Sequence, residues 1–172
     1  DIFFQAETEF TEVTVSANSP RFLAEVVAST SPDLDMLVFH DADNDGTPEL
    51  ADVDLDNENA ACQSAAGGSF EICDIMNPVS GRWFVAVINY SASASAPDSV
   101  TLHTAVVPDA DAGNMTVVGP ASVPAETSFD VQVFYDEPAM MAGDAWYGVF
   151  DVGTDGANPG NIGAVPVNVI RH

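Results

Sequence analysis

Short runs of alternating apolar and polar residues recur along the chain. Thr11 to Ser16, Phe22 to Val27 and Leu34 to Phe39 each place Val, Phe, Leu or Met at every second position or nearly so. The same habit returns at Arg82 to Tyr90, Ser99 to Val107, Phe129 to Tyr135 and Trp146 to Val152. A period of two puts successive side chains on opposite faces of a strand, and these residue types suit a pleated, half-buried surface. Turn formers separate the runs: Asn18-Ser19-Pro20, Ser31-Pro32-Asp33, Ser80-Gly81. No stretch sustains a 3.6-residue period over three turns, and Pro138 to Ala142 is long enough for one helical turn only. The pattern predicts an all-β protein made of antiparallel sandwiches, not βαβ units.

Pro108 to Gly113 is small, acidic and poor in apolar residues, which suits a linker. The division predicted is a larger β-sandwich over 1–107, a linker over 108–113 and a smaller immunoglobulin-like β domain over 114–172, restarting at Met115-Thr116-Val117-Val118. Ser91 to Pro97 is low in complexity and is expected to form a flexible hairpin loop. The chain starts at Asp1 with neither Met nor a leader, so the expectation is a processed piece or a fragment of a longer protein.

Charge narrows the field of partners. The chain has 172 residues, 27 acids and three cations (Arg21, Arg82 and Arg171), a formal net charge of −24. Such a surface repels phosphates, so neither nucleic acid nor an anionic membrane is an expected partner. No apolar run approaches ~18 residues, so no membrane insertion is expected. Apolar residues make up 47% of the chain, which separates it from disordered acidic tails. Aspartate outnumbers glutamate two to one, and Asp favours turns, caps and hard-cation ligation. Much of this acidity reads as a solvated coat; one segment reads differently.

That segment is Asp41-Ala-Asp-Asn-Asp-Gly-Thr-Pro-Glu-Leu-Ala-Asp52. Counted from Asp41, carboxylates fall at positions one, three, five, nine and twelve, with glycine at six and Thr47 at seven. This is the ligand spacing of a twelve-residue calcium loop. The metal set expected is Asp41, Asp43, Asp45, Thr47, Glu49 and Asp52, holding Ca2+, with Asp33 and Asp35 as ligands of second rank. Two features depart from the helix-loop-helix form: the last carboxylate is Asp, and the segment entering the loop is strand-like. Eight carboxylates and no cation lie between Asp41 and Glu58, a repulsion that a divalent ion would relieve. Asp52, Asp54 and Asp56 alternate with Val53 and Leu55, which reads as a strand with one solvated face.

Cys62 and Cys73 are the only cysteines. Zinc would need four soft ligands at close spacing, and only His40, His103 and His172 are at hand, so a disulfide is expected. A disulfide points to the periplasm or the cell exterior. No serine lies in a Gly-x-Ser-x-Gly elbow, no glycine loop precedes a helix, and no carboxylate pair stands out from the rest, so no catalytic residue is assigned. Trp83 and Phe84 on one strand read as a central strand buried on both faces. Trp83, Tyr90, Trp146 and Tyr147 are the aromatics that a polymer-binding surface would use.

Pro32-Asp33-Leu34-Asp35-Met36-Leu37-Val38-Phe39, with Gly81-Arg82-Trp83-Phe84-Val85-Ala86-Val87-Ile88-Asn89-Tyr90 some forty residues later, resembles the bacterial pre-peptidase C-terminal domain over roughly residues 5–107. The acidic insertion with its cysteine loop departs from that pattern. Met141 to Gly148 and Gly153 to Gly163 resemble the immunoglobulin-like end domain of some secreted subtilisin-like serine proteases. The resemblance implies a jelly-roll-like sandwich followed by an Ig-like one. It further implies a non-catalytic C-terminal accessory region of a secreted serine endopeptidase, whose partners would be the parent catalytic domain and a protein or polysaccharide polymer. No subtilisin triad motif occurs in the chain, so no catalytic residue is carried over.

Overall fold

The computed structural model describes residues 8–95 and 97–172. Within them the chain divides into two compact units, one ending at Asp109 and one running from Ala110 to His172. Among its described residues the first carries seven strands: β1 (Thr8–Val15), β2 (Arg21–Ser29), β3 (Asp33–His40), β4 (Ala61–Ser64), β5 (Ile72–Met76), β6 (Gly81–Ser91) and β7 (Val100–Val107). They form two antiparallel sheets, ordered β1-β6-β3-β4 and β5-β2-β7. The architecture is the all-β sandwich that the alternation predicts.

The alternation also determines which residues fill the sandwich. Phe22, Ala24 and Val26 of β2 face Leu34, Met36 and Val38 of β3 and Trp83, Val85 and Val87 of β6, all buried in one core between the sheets. Phe22 meets the Trp83 ring edge-on at 5.3 Å, and the Trp83 indole N–H donates to the Val79 carbonyl at 2.8 Å. Trp83 therefore contributes its full apolar area without leaving a buried donor unpaired. The odd positions of β3 and the even positions of β6 point the other way. Leu37, Phe39, Phe84, Ala86 and Ile88, with Ala61, make a second buried cluster on the outer face of the four-stranded sheet, with Phe10 and Val53 packed against it. β6 thus lies between β1 and β3, buried on both faces as the paired aromatics predict.

Cys62 of β4 and Cys73 of β5 are disulfide-bonded, their Cα atoms 5.8 Å apart. Each of these strands is the last of its sheet, so the bridge fastens the two edges together.

Two sequence expectations are corrected. Asp52 to Asp56 is no strand: Leu50–Asp52 is a 3-10 turn and the residues after it form further turns. Three carboxylates in five residues on an unpaired segment have no neighbouring strand to share their face with. The Ser91 to Pro97 segment is no hairpin, because β6 and β7 lie in different sheets and the connection crosses between them; its Ala96 lies outside the described residues.

The second unit carries β8 (Met115–Val118), β9 (Gln132–Tyr135), β10 (Ala145–Val152) and β11 (Gly163–Ile170). β8 pairs with β9 and β10 with β11, both antiparallel, giving two two-stranded ribbons. Met140 is the buried apolar residue among its described residues. Met140 also accepts, through its carbonyl, a hydrogen bond from the Arg171 guanidinium.

Candidate metal centre

The acidic segment leaves β3 with its backbone still paired. The Asp41 N–H donates to the Arg82 carbonyl at 2.9 Å, so the β3–β6 ladder runs one residue past the strand and sets Asp41 across from Arg82. Asp41 is 1% exposed. Its Oδ2 accepts from the Gly46 N–H at 3.0 Å and from Arg82 Nη1 at 3.0 Å; its Oδ1 is buried with no partner. Burial by itself would lift this carboxyl, but the Gly46 N–H, the charge and hydrogen bond of Arg82 and, last, the Asn44 N–H outweigh it and hold Asp41 below the usual aspartate value.

The next residues fold the chain into a tight cradle. The Asp45 N–H donates to Asp43 Oδ1 at 3.1 Å and the Thr47 N–H to Asp45 Oδ1 at 2.7 Å, two successive Asx turns. Asn44 (φ 59°) and Gly46 (φ 82°) both take the left-handed backbone that such reversals require. Gly46 has a further reason to be glycine, since a Cβ there would collide with the Arg82 guanidinium. One oxygen from each of Asp41, Asp43 and Asp45 lies within 4.8 Å of the others.

The far end of the segment returns to its start. Asp52, 4% exposed, closes the 3-10 turn; its Oδ1 accepts from the Ala42 N–H at 3.0 Å, and its Oδ2 is buried with no partner. Glu49 is half-buried, and its carboxyl is raised by burial and then by the charges of Asp45, Asp43, Asp52 and Asp41, in that order. Glu49 thus feels every carboxylate of the loop. Val53, next in the chain, packs on the outer-face cluster and anchors the segment to the sheet.

Positions one and twelve therefore share a design: one oxygen is held by a backbone N–H, the other is buried and unsatisfied. A buried acceptor left without a partner is costly, and most such groups in folded proteins are paired. All the donors are hard oxygens, the set that suits Ca2+ or another hard divalent cation. Asp41, Asp43 and Asp45 form one cluster; Asp52 and Glu49 border it; Thr47 is exposed and enters through its backbone.

Asp33 and Asp35 do not join this loop. They stand at the opposite end of β3, and six residues of strand place Asp35 about 20 Å from Asp41. Their roles are local. Asp33 Oδ1 accepts the Gly68 N–H at 2.8 Å, and Asp35, raised by burial and by Asp33 and Glu71, borders a Glu71 carboxylate that accepts from the Ser64 hydroxyl.

Sequence reasoning missed Arg82. Its guanidinium reaches Asp41 and also Glu12 of β1, Nε to Oε1 3.4 Å. The available signal was scarcity: it is one of three cations in the chain. Among the other candidates, His40 Nε2 lies 3.2 Å from the Ser80 carbonyl with its ring edge-on to Trp83, and His103 faces Glu25 across the β2–β7 ladder. Trp83 is fully buried, Tyr147 half-buried, and Tyr90 and Trp146 are exposed at 61% and 42%.

With the sandwich, its bridge and its acidic loop described, comparison with family models, with curated proteins and with solved structures returns no match.

Proposed function

We propose that this chain is a non-catalytic, calcium-stabilised extracellular β-sandwich module, the accessory region of a secreted subtilisin-like serine endopeptidase. One observation carries the calcium reading: Asp41 Oδ1 is buried and unpartnered in a residue that clusters with Asp43 and Asp45, and Asp52 Oδ2, at the other end of the loop, is buried and unpartnered as well. A divalent ion supplies what these oxygens lack and offsets repulsion within a chain of net charge −24. Binding to the folded loop alone stabilises the fold by mass action. The disulfide supports an oxidising compartment. The protease context rests on the sequence resemblance, and a subtilisin-like catalytic domain preceding Asp1 in the parent protein is the finding that tests it.

The calcium reading is tested by thermal melts in chelator and in excess CaCl2. At about a hundredfold excess over Kd the melting temperature is expected to rise by about 5–10 °C. Asp43→Ala with Asp45→Ala abolishes that rise, and equal melts for the wild type in both buffers overturn the reading. Tyr90 in the first unit and Trp146 in the second, each taken by itself, favour a second reading, a binding module for an insoluble protein or polysaccharide, because exposed aromatics are what such surfaces use. Retention on a collagen or chitin column, lost in Tyr90→Ala or Trp146→Ala, is its expected outcome.

A further inference from the structure

We infer that Arg82 is a built-in stand-in for the loop's cation: its guanidinium holds Asp41 when no ion is bound, keeps the sandwich folded, and lowers the affinity of the loop for calcium. The inference rests on the calcium reading above and adds to it a tuning residue and a mode of regulation.

The geometry divides the labour at Asp41 between its two oxygens. Oδ2 is taken by Gly46 N–H and Arg82 Nη1, each at 3.0 Å, while Oδ1 has no partner. Arg82 therefore neutralises the one fully buried carboxylate at the mouth of the loop without blocking the oxygen an ion would use. It reaches that place by register, since Asp41 follows β3 and Arg82 lies opposite it near the start of β6. Its second carboxylate, Glu12 of β1, pairs with Nε at 3.4 Å while Nη1 serves Asp41. The side chain is 32% exposed, so its field reaches the loop partly through solvent. Gly46, having no Cβ, leaves room for the guanidinium beside the turn that carries Asp43 and Asp45.

Two charges share Asp41 once an ion binds, and they repel. A fixed positive charge a few ångströms from a divalent ion, screened by solvent, weakens binding by about tenfold. The same charge stabilises the ion-free loop. Calcium then modulates the stability of the sandwich and is not an absolute requirement for folding, the reverse of a small domain that collapses without its metal.

The test compares wild type, Arg82→Met and Arg82→Lys by calorimetric titration with CaCl2 and by thermal melts with and without chelator. Arg82→Met is expected to bind calcium about tenfold more tightly, to melt lower in chelator, and to show a larger calcium-induced rise. Arg82→Lys, which keeps the charge, is expected to stay within about twofold of the wild-type affinity. A purely structural role for Arg82 would lower both melting temperatures alike and leave affinity unchanged; unchanged or weaker binding in Arg82→Met overturns the inference while leaving the calcium reading intact. Where Arg82→Met does not fold in chelator, refolding on addition of CaCl2 supports the inference and failure to refold overturns it. Wild-type protein that takes up no calcium overturns the calcium reading and this inference with it.

Discussion

Asp98 shows how single side chains hold connections that the strands do not. Its Oδ1 accepts from the Thr30 hydroxyl at 3.0 Å, and its Oδ2 accepts from the Asn89 amide at 3.0 Å and the Ser93 N–H at 2.9 Å. Thr30 in turn accepts the Ser99 N–H at 2.8 Å, so one carboxylate gathers the end of β6, its crossover and the turn after β2. Hydrogen bonds from the Ser93 side chain and backbone, then from Asn89 and Thr30, lower this carboxyl from 3.8 to about 2. A depressed carboxylate stabilises the fold above its ordinary value, and that contribution is lost as the pH falls through the folded value. Asp98→Ala is therefore expected to lower the melting temperature at pH 7 by an amount that shrinks as the pH falls from 3.8 towards about 2; a constant difference across that window, read by circular dichroism, would refute it. At this scale the sequence was legible where chemistry is local. The Asp-x-Asp-x-Asp-Gly spacing pointed to the cradle because its Asx turns and left-handed residues are set by neighbours in the chain. Arg82, Glu12 and the Asp98 hub were not legible, because each depends on which strand lies beside which.

Among the elements, the long alternating runs became β1, β2, β3, β6, β7 and β10, since period two is sufficient information for a half-buried strand. β4 and β5 are short and Ser- or Asp-broken edge strands, and β11 contains Pro166, so their identity as strands comes from the partners that receive them. The Asp52 to Asp56 alternation misled for the opposite reason: the period was present and the partner strand absent. The edge strands β4 and β5 also carry the bridge, which closes a short loop of sequence separation 11 yet joins two sheets. By the loop-entropy argument it contributes about 3 kcal/mol. Cys62→Ser with Cys73→Ser is expected to lower the urea midpoint correspondingly, and a loss below about 0.5 kcal/mol would show that the sheets' shared core alone fixes their edges.

For the molecule as a whole, the acid excess is spread across both units, with Arg21 and Arg82 in the first and Arg171 in the second. Arg21 is 1% exposed and bonds Asp74 through Nε and Nη2 at 2.7 and 2.8 Å. Three arginines against 27 acids leave most of the negative charge without a cation to offset it. Screening relieves such repulsion over a distance of about 10 Å at 0.1 M salt. Melting temperature is expected to climb with NaCl in the presence of chelator, and the climb should persist in Asp43→Ala with Asp45→Ala, which separates general screening from ion capture. A flat salt profile would mean that the acids lie too far apart to matter.

The cross-sheet bridge has a consequence for the loop beside it. Residues 41–60 hang between two posts, the β3 ladder at one end and β4 at the other, and Cys62 moors the second post to the opposite sheet. On the calcium reading proposed above, an ion held at Asp41 would work on a span whose ends are tethered, so thiol reductant is expected to weaken calcium binding. By reciprocity, occupancy by calcium should make the bridge harder to reduce. Redox state and divalent-ion level would then act on a single tether, each recording the history of the other.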